Sequence, residues 1–286
     1  MRLVFLGTPD AAVTPLQALA SAFDVALVVT RADKRRERGG GLTPSPVGAA
    51  AADLGIPVSH RVDDGLDVDA DLGVVVAFGQ IIKPHVLARL PMVNLHFSLL
   101  PRWRGAAPVE RAILAGDEVT GVCVMDVEEG LDTGGVYARV SVPILGSDTA
   151  DVLRARLVEV GTPLLVSTLS AGLGVPAPQV GTPTYADKVT SEDLHLSWTS
   201  PADHLARLPR VGKAWTTFRG ARLLVLAAGV SLSGDPPPAG VLDGTVVGTA
   251  SGGLELHVVQ PAGKPPMAAA AWVRGARLSP GESLGA

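Results

Sequence analysis

Hydrophobic positions recur along the first two thirds of the chain in short unbroken runs that alternate with amphipathic stretches. The runs at residues 2–6 and 71–78 are almost wholly apolar, as in strands buried on both faces of a parallel sheet. The stretches at 14–22, 46–54 and 149–169 carry apolar residues at helical spacing. This alternation predicts an α/β domain with an open, mostly parallel, Rossmann-like sheet. The other elements predicted here are strands at 25–30, 56–58, 121–127 and 135–142 and helices at 83–88 and 108–115.

The pattern changes near residue 203, beyond which short apolar runs are separated by Gly/Pro turns. Such runs are typical of a small OB-like β-barrel. The strands predicted there cover residues 214–218, 222–226, 244–250 and 254–260. The preceding stretch is rich in Pro and Gly and then polar, which indicates a connection between two domains. We predict an N-terminal domain at 1–183, a linker at 184–202 and a C-terminal β-barrel domain at 203–286.

The most informative polar side chains lie in the run NLHFSLLPRWRGAAP, from Asn94 to Pro108. Because alternate side chains of a strand share a face, Asn94 and His96 point together while Leu95 points away. Pro101 ends the strand and begins a loop, the usual place of a binding site in an α/β domain. The periodicity alone fits equally well a buried pair that only satisfies backbone groups.

A third candidate, Asp132, lies in the run GLDTG between Gly130 and Gly134. Flanking glycines let this backbone fold close to another loop, so the carboxylate could reach the imidazole of His96. Together the three side chains suit transfer of an acyl group to an amine. Asn94 and His96 would stabilise the oxyanion, and Asp132 would orient His96 and accept the proton of the amine. An aspartate between glycines is also a common turn former.

Composition excludes several other kinds of site. Cys123 is the single cysteine, so the chain forms no internal disulfide and no cysteine-based metal site, which favours a reducing, cytoplasmic compartment. There is no G-x-G-x-x-G or P-loop motif, and no histidine pair has metal-ligand spacing. Nicotinamide, flavin, ATP and metal chemistry are therefore disfavoured, and we expect no bound metal. The apolar runs are far shorter than a bilayer span, so we expect no membrane association.

Charge is unevenly distributed around a net value of −4. Residues 203–286 contain eight Lys or Arg against five Asp or Glu, a local net charge of +3. A second basic segment precedes three consecutive glycines and is suited to meet phosphates, although a solvated surface loop has the same composition. This segment, the basic loop, contains Arg31, Lys34, Arg35, Arg36 and Arg38.

Seven motifs follow one another in order along nearly the whole chain. They are GTPD at 7–10, TPSPV at 43–47, VVAFG at 75–79, NLHFSLLPRWRGAAP at 94–108, GLDTG at 130–134, TYADK at 184–188 and QPAGKPPM at 260–267. Together they resemble the methionyl-tRNA formyltransferase family. The Asn-x-His, SLLP and LDTG motifs are shared by folate-dependent formyltransferases in general, whereas the basic loop and the QPAGK segment indicate a tRNA acceptor.

The resemblance implies that 10-formyltetrahydrofolate donates a formyl group to the α-amine of methionine on initiator tRNA. Asn94, His96 and Asp132 match the catalytic residues of the family. The folate, a co-substrate, is expected against two segments that follow neighbouring strands. These contain Ser98, Leu99, Leu100 and Pro101, and Val76, Ala77, Phe78, Gly79 and Gln80.

The same resemblance assigns tRNA binding to the basic loop and to the C-terminal barrel. Arg38 matches the loop arginine of the family, but Gly40 and Gly41 stand where many relatives have lysines. Lys34, Arg35 and Arg36 are therefore expected to supply the remaining phosphate contacts, and residues 208–215 also depart from the usual longer form. We expect the protein to act as a monomer.

Two alternatives stay open from the sequence. The first is a folate-dependent formyltransferase for a small amine, such as glycinamide ribonucleotide or an amino sugar, which would not need a basic C-terminal barrel. The second is an RNA-binding protein that has kept the scaffold and lost catalysis. The presence of Asn94, His96 and Asp132 argues against this second alternative.

Overall fold

A computed structural model describes residues 1–35, 42–232 and 234–285, without the side chains of Lys34 and Arg35. The chain forms two compact units. The first comprises Met1–Val109, Val119–Pro143 and Leu153–Asp187, and the second comprises Glu110–Glu118, Ile144–Val152 and Lys188–Ala286. The predicted domain limits at residues 183 and 203 stay predictions.

A seven-stranded sheet forms the centre of the first unit within the described residues. Its strands are β1 (Arg2–Gly7), β2 (Asp24–Val29), β3 (Val58–Ser59), β4 (Leu72–Val76), β5 (Met92–His96), β6 (Val119–Asp126) and β7 (Val136–Pro143). They lie in the order β7-β6-β5-β4-β1-β2-β3. The five strands from β5 to β3 in this order are parallel, while β6 and β7 run antiparallel to their neighbours. The predicted α/β class with an open, mostly parallel sheet is confirmed.

The continuous apolar runs become the most buried strands, as expected when helices cover both faces of a sheet. Leu3, Phe5 and Val74 have no solvent-exposed surface. Strand β4 is shorter than the predicted strand at 71–78 because Ala77 takes a left-handed backbone conformation, with φ of 48°. The chain therefore leaves the ladder at this edge of the sheet, where Ala77, Gly79 and Gln80 are exposed and Phe78 is partly buried.

The five helices predicted from the sequence begin and end within two residues of their predicted limits. They are α1 (Val13–Ala22), α2 (Pro46–Asp53), α3 (Pro84–Leu87), α4 (Pro108–Ala115) and α5 (Ala150–Ala171), followed by α6 (Ala202–Leu205), α7 (Leu208–Val211) and α8 (Ala269–Ala276). Ser45 caps α2 by accepting a hydrogen bond from the Gly48 amide, and Pro46 occupies the first turn, where its missing N–H costs nothing. Leu153, Leu157 and Leu165 of α5 are fully buried, as its spacing predicts.

The second unit contains an antiparallel sheet of six strands within the described residues, four of which overlap the strands predicted after residue 203. They are β8 (Ala214–Phe218), β9 (Ala221–Val230), β10 (Leu242–Asp243), β11 (Val246–Gly248), β12 (Gly253–Pro261) and β13 (Met267–Ala268). Among the described residues their order is β8-β9-β12-β11-β10, with β13 paired to β12. Trp198, Leu205, Val225 and Trp272 belong to its apolar core. The OB-like closure into a barrel stays a prediction.

None of the helices in the described ranges is long and apolar enough to span a bilayer.

Candidate active site

Strand β5 brings the predicted Asn/His pair to one edge of the main sheet. It lies between the parallel strand β4 and the antiparallel strand β6, so it pairs with a strand on each side. Asn94 is opposite Met125 of β6, and His96 is opposite Cys123. Since residues two apart share a face, both polar side chains leave the same side of the sheet near the carboxyl end of β5. This is where the structure of an open sheet places a crevice.

His96 is held by the loop that follows its own strand. Its side chain is only 5% exposed, and Nε2 lies 2.8 Å from the carbonyl oxygen of Trp103. A carbonyl can only accept a hydrogen bond, so Nε2 carries a hydrogen and donates it. The second ring nitrogen, Nδ1, therefore remains for chemistry or for a charged partner.

Asp132 lies beside that second nitrogen. Its Oδ2 atom is 3.7 Å from Nδ1 of His96, and its side chain is 15% exposed. The same oxygen accepts a hydrogen bond of 2.7 Å from the amide of Gly105. The Nδ1 to Oδ2 distance exceeds a hydrogen bond but suits a close charge contact, so the two loops bring together the pair predicted from sequence. The hydrogen bond that orients the ring goes to Trp103.

Asn94 completes the set on the same strand face. It is partly buried, and its side-chain amide makes no hydrogen bond to any residue that the structure describes. A partly buried amide without a protein partner keeps its two donors available for water or a ligand. The three predicted side chains thus supply an amide donor and an imidazole on β5 and a carboxylate in the loop between β6 and β7.

Two residues fix the loop after β5: Ser98, which was predicted to contact folate, and Trp103, which was not a predicted site residue. Ser98 is fully buried, and its hydroxyl donates to the carbonyl of Arg102 at 2.6 Å, with the Trp103 carbonyl 3.2 Å away. Trp103 takes a left-handed conformation with φ of 66°, which turns its carbonyl toward His96. The Leu100–Pro101 peptide bond is cis. Ser98, the first residue of the SLLP motif, therefore shapes the site through a buried hydrogen bond.

Glycines allow the two loops to approach. Gly105 has φ of 119°, and a side chain there would meet the carbonyl oxygen of Ala186 at 3.0 Å. A side chain on Gly134 would lie 2.0 Å from the carbonyl oxygen of Asp126. Both positions need glycine for close backbone contact, which is a signal that the motifs RG and DTG carry in the sequence.

The residues predicted to bind folate fall into two groups. Val76, Ser98 and Leu100 are buried in the protein, so only their backbone groups could meet a ligand. Ala77, Gly79 and Gln80 instead line a cavity of about 310 Å³ at the carboxyl ends of the central strands. Its other lining residues are Thr8, Pro9 and Arg31. Of the remaining predicted residues, Phe78, Leu99 and Pro101 are partly buried.

The basic loop is only partly described. Lys34–Arg35 forms a two-residue strand that pairs with Leu42–Thr43. Arg36 and Arg38 lie outside the described residues.

Two side chains of strand β6, Cys123 and Asp126, have shifted pKa values. Burial raises the pKa of the Cys123 thiol, which favours its neutral form and makes it a poor nucleophile. Burial also raises the pKa of the Asp126 carboxyl, with the nearby charge of Glu128 acting in the same direction. Asp126 is opposite Val93, which points away from the Asn94 face. No group of three metal-binding side chains occurs within the described ranges.

A further polar contact, missed at the sequence level, joins the two loops. Gln179 lies in the Pro/Gly-rich stretch after α5 and hydrogen-bonds to Arg104 and to the backbone around Asp132. The only sequence signal was an isolated amide between proline and glycine residues, which is too common to be specific.

Comparison with known proteins places this geometry in a family. The formyl transferase profile matches residues 1–169, and the profile of the formyl transferase C-terminal domain matches residues 188–277. A methionyl-tRNA formyltransferase of Clavibacter sepedonicus is 46% identical over 96% of this chain and 97% of its own length. One from Streptomyces coelicolor is 43% identical over the full length of both chains.

The fold also matches that of more distant solved structures. HypX from Aquifex aeolicus, in complex with tetrahydrofolic acid, superimposes with a TM-score of 0.65 at 17% identity, over 96% of this chain and 47% of HypX. At this identity the likeness concerns the fold alone. The two profile matches and the full-length relatives are more specific, and by them the chain belongs to the methionyl-tRNA formyltransferase family.

Proposed function

We propose that this protein transfers the formyl group of 10-formyltetrahydrofolate to the α-amine of methionine esterified to initiator tRNA. The observation that carries the proposal is the meeting of His96 Nδ1 and Asp132 Oδ2, 3.7 Å apart, at the strand that also carries Asn94, whose side-chain amide has no partner among the described residues. The full-length relatives from Clavibacter sepedonicus and Streptomyces coelicolor, both named for this reaction, support the choice of acceptor.

In the proposed reaction the amine of the methionyl ester attacks the formyl carbon directly. The new C–N bond forms, the bond from the formyl carbon to N10 of the folate breaks, and one proton passes from the amine to N10. No covalent enzyme intermediate is required, which agrees with the raised pKa of the nearest thiol, Cys123.

Each side chain has a distinct part in this proposal. Asn94 donates its free amide N–H to the oxyanion that develops on the formyl oxygen. His96 donates from Nδ1 when that nitrogen is protonated, since Nε2 is already bonded to Trp103. Asp132, with Oδ2 3.7 Å from Nδ1, stabilises the positive charge on the ring and accepts the proton that leaves the amine.

The folate is proposed to occupy the edge of the sheet next to this set. Three of the predicted residues, Ala77, Gly79 and Gln80, line the cavity of about 310 Å³ there. A cavity of this size suits one part of a folate, and exposed backbone groups after a strand suit the hydrogen-bonding edge of a pterin. The tetrahydrofolic acid bound by HypX supports a folate ligand for this fold.

The tRNA is proposed to contact the basic loop and the C-terminal part. The local net charge of +3 in residues 203–286 and the arginines around Arg38 would meet phosphates. Domain limits at 183 and 203, a cytoplasmic location, a monomeric state and the absence of a metal stay predictions.

A mass measurement on the acceptor tests the proposal. The protein is incubated with 10-formyltetrahydrofolate and initiator tRNA charged with methionine, and the aminoacyl ester is analysed. We expect a gain of about 28 Da, the difference between a formyl group and one hydrogen. Uncharged tRNA, which lacks the amine, should gain nothing.

The same assay separates the alternatives. Formylation of glycinamide ribonucleotide or an amino sugar in place of the charged tRNA would establish the small-amine reaction. Binding of tRNA without any formyl transfer would favour the non-catalytic scaffold. Either result would overturn the proposal.

A further inference from the structure

The side chain of Gln179 is saturated with hydrogen bonds between the two loops of the site. Nε2 donates to the carbonyl oxygens of Asp132 and Gly134, each at 2.8 Å. Oε1 accepts from Nε of Arg104 at 3.1 Å and from Nη2 at 2.7 Å. A primary amide has two donor hydrogens and two acceptor lone pairs, so every one of them is used. A surface glutamine that merely happened to lie here would seldom satisfy all four.

The backbone on both sides of Gln179 is also fixed to these loops. Ala177 exchanges two hydrogen bonds with Val136, at the start of β7, at 2.8 and 2.9 Å. Further along, Tyr185–Ala186 pairs in parallel with Arg104–Gly105. The segment 177–186 therefore connects the end of the Asp132 loop to the loop after β5, with the Gln179 side chain bridging them in the middle.

This bridge bears on both halves of the reactive pair. On one side, Asp132 has a left-handed backbone, with φ of 49°, and Gln179 holds its carbonyl. On the other side, Arg104 separates Trp103, whose carbonyl orients His96, from Gly105, whose amide holds the Asp132 carboxylate. Neither loop sets the 3.7 Å separation alone, because each is anchored to the same amide group.

We propose that Gln179 is a positioning residue for the formyl-transfer site, fixing Asp132 relative to His96 by bonding the two loops to each other. The proposal rests on the proposed function, since it gives the His96–Asp132 pair its chemical task. Contacts of this kind determine the rate through geometry: a displacement of about 1 Å in a catalytic group can cost about 100-fold in rate. Gln179 itself touches no reacting atom.

Two substitutions of Gln179 distinguish its hydrogen bonds to the Asp132 loop from those to Arg104. Gln179→Met keeps the length of the side chain and removes all four hydrogen bonds. Gln179→Glu keeps the acceptor toward Arg104 but replaces the two N–H donors by an oxygen beside the carbonyls of Asp132 and Gly134. Gln17→Met is the matched control, because Gln17 is exposed on α1 and its side chain makes no hydrogen bond within the described part of the chain.

Both Gln179 variants should lower kcat by about 10- to 100-fold, with the KM of each substrate within about 3-fold of the parent. The control should stay within about 2-fold in every constant. A Gln179→Glu variant with parental kcat would overturn the proposal, since it lacks the bonds to the Asp132 loop. So would a loss confined to KM.

A double substitution distinguishes positioning from a general loss of structure. If Gln179 acts through Asp132, Gln179→Met should change the residual rate of an Asp132→Asn protein by less than about 2-fold. If the same 10- to 100-fold loss appears in both backgrounds, Gln179 acts elsewhere and the proposal fails. Single-turnover conditions make the slow rates measurable.

Hydrogen exchange tests the geometry without relying on activity. Gln179→Met should speed exchange of the Gly105 amide by about 10-fold or more, while the amides of β1 and β4 keep parental protection. If Gln179→Met does not fold, Gln179→Glu is measured in the same way. Unchanged exchange at Gly105 in a folded variant overturns the inference. A parent protein that transfers no formyl group would instead contradict the proposed function and leave this exchange result interpretable.

Discussion

Asp132 and Asn94 have neighbouring tasks in the proposed reaction, but the protein holds them in opposite ways. The Asp132 carboxylate is bonded to Gly105, and its backbone carbonyl is bonded to Gln179. The Asn94 amide has no hydrogen-bond partner in the described ranges. The Asp132 carboxylate is therefore fixed before substrates bind, whereas the Asn94 amide remains available to bind a substrate. We expect residues that are bonded within the protein, such as Asp132, to contribute to both stability and rate. We expect residues such as Asn94 to contribute to rate alone.

The largest effect should follow from changing the fixed group in a way that preserves its position. Asp132→Asn removes the negative charge and the proton acceptor, while the amide oxygen can still accept from Gly105. We expect kcat to fall by about 1,000-fold, with folate affinity and thermal stability close to the parent. Steady-state kinetics with charged tRNA, together with fluorescence titration of folate, measure both quantities. Near-parental turnover would remove Asp132 from the mechanism.

The next largest effect is expected at Asn94. Asn94→Ala removes an oxyanion donor, so kcat should fall by about 100-fold. Because the Asn94 amide has no hydrogen bond to the described residues, the free energy of unfolding should change by less than about 0.5 kcal/mol. Kinetics and urea unfolding on the same preparation test the two halves of this prediction.

Ser98→Ala is the matched control for Asn94→Ala. It removes a hydroxyl from the same loop region, but that hydroxyl is buried and bonded to the Arg102 carbonyl. We expect it to lower the free energy of unfolding by about 1 to 3 kcal/mol. Equal losses of unfolding free energy in Asn94→Ala and Ser98→Ala would show that a bonded and an unbonded side chain do not differ in their contribution to stability.

The three candidate catalytic residues could be predicted from the sequence, whereas the hydrogen bonds that position them could not. The period-two pattern of β5 put Asn94 and His96 on one face, and the glycines around Asp132 indicated a loop that could reach His96. The family resemblance then matched all three residues. The parallel order of the sheet followed from the alternation of apolar runs and helices. These signals are local or repeat along the chain, so they can be seen without coordinates.

The bonds that hold the site could not be predicted because they join distant segments through single atoms. Gln179 is 47 residues from Asp132 and 75 from Arg104. The Trp103 carbonyl reaches His96 only because of a left-handed backbone at a bulky residue, which no propensity favours. A hydrogen bond to a backbone carbonyl leaves no residue type to recognise, and thus no pattern in the sequence.

A smaller effect is expected at Arg38, which the proposed function assigns to an electrostatic contact with the tRNA phosphates. Arg38→Ala should lower kcat/KM for charged tRNA by about 10-fold at moderate salt and reduce the slope of log K against log salt concentration by about 1. The turnover at saturating tRNA should change little. Arg61→Ala is the control, because Arg61 is an exposed arginine outside the basic loop. A salt-independent loss in Arg38→Ala would exclude an electrostatic contact.

The smallest effect belongs to a held group in the second unit, Asp193, which should affect stability and not rate. Its carboxylate accepts hydrogen bonds from the Arg111 guanidinium, and that partner chiefly lowers the pKa of Asp193 to about 2, with help from the backbone N–H of Thr190. A folded-state pKa below the unfolded value of 3.8 stabilises the protein above pH 3.8, and this contribution disappears as the pH falls toward 2.

The Asp193 side chain is 28% exposed, so solvent screening reduces the stabilisation to about 1 kcal/mol. Asp193→Asn should therefore be less stable than the parent by about that amount at pH 6, and the difference should shrink between pH 5 and pH 2.5. Urea unfolding across this range measures it, with kcat at neutral pH as the control for an undisturbed site. A pH-independent difference would mean that the Asn variant loses packing and not charge. The Asp193 charge would then not be what stabilises the protein.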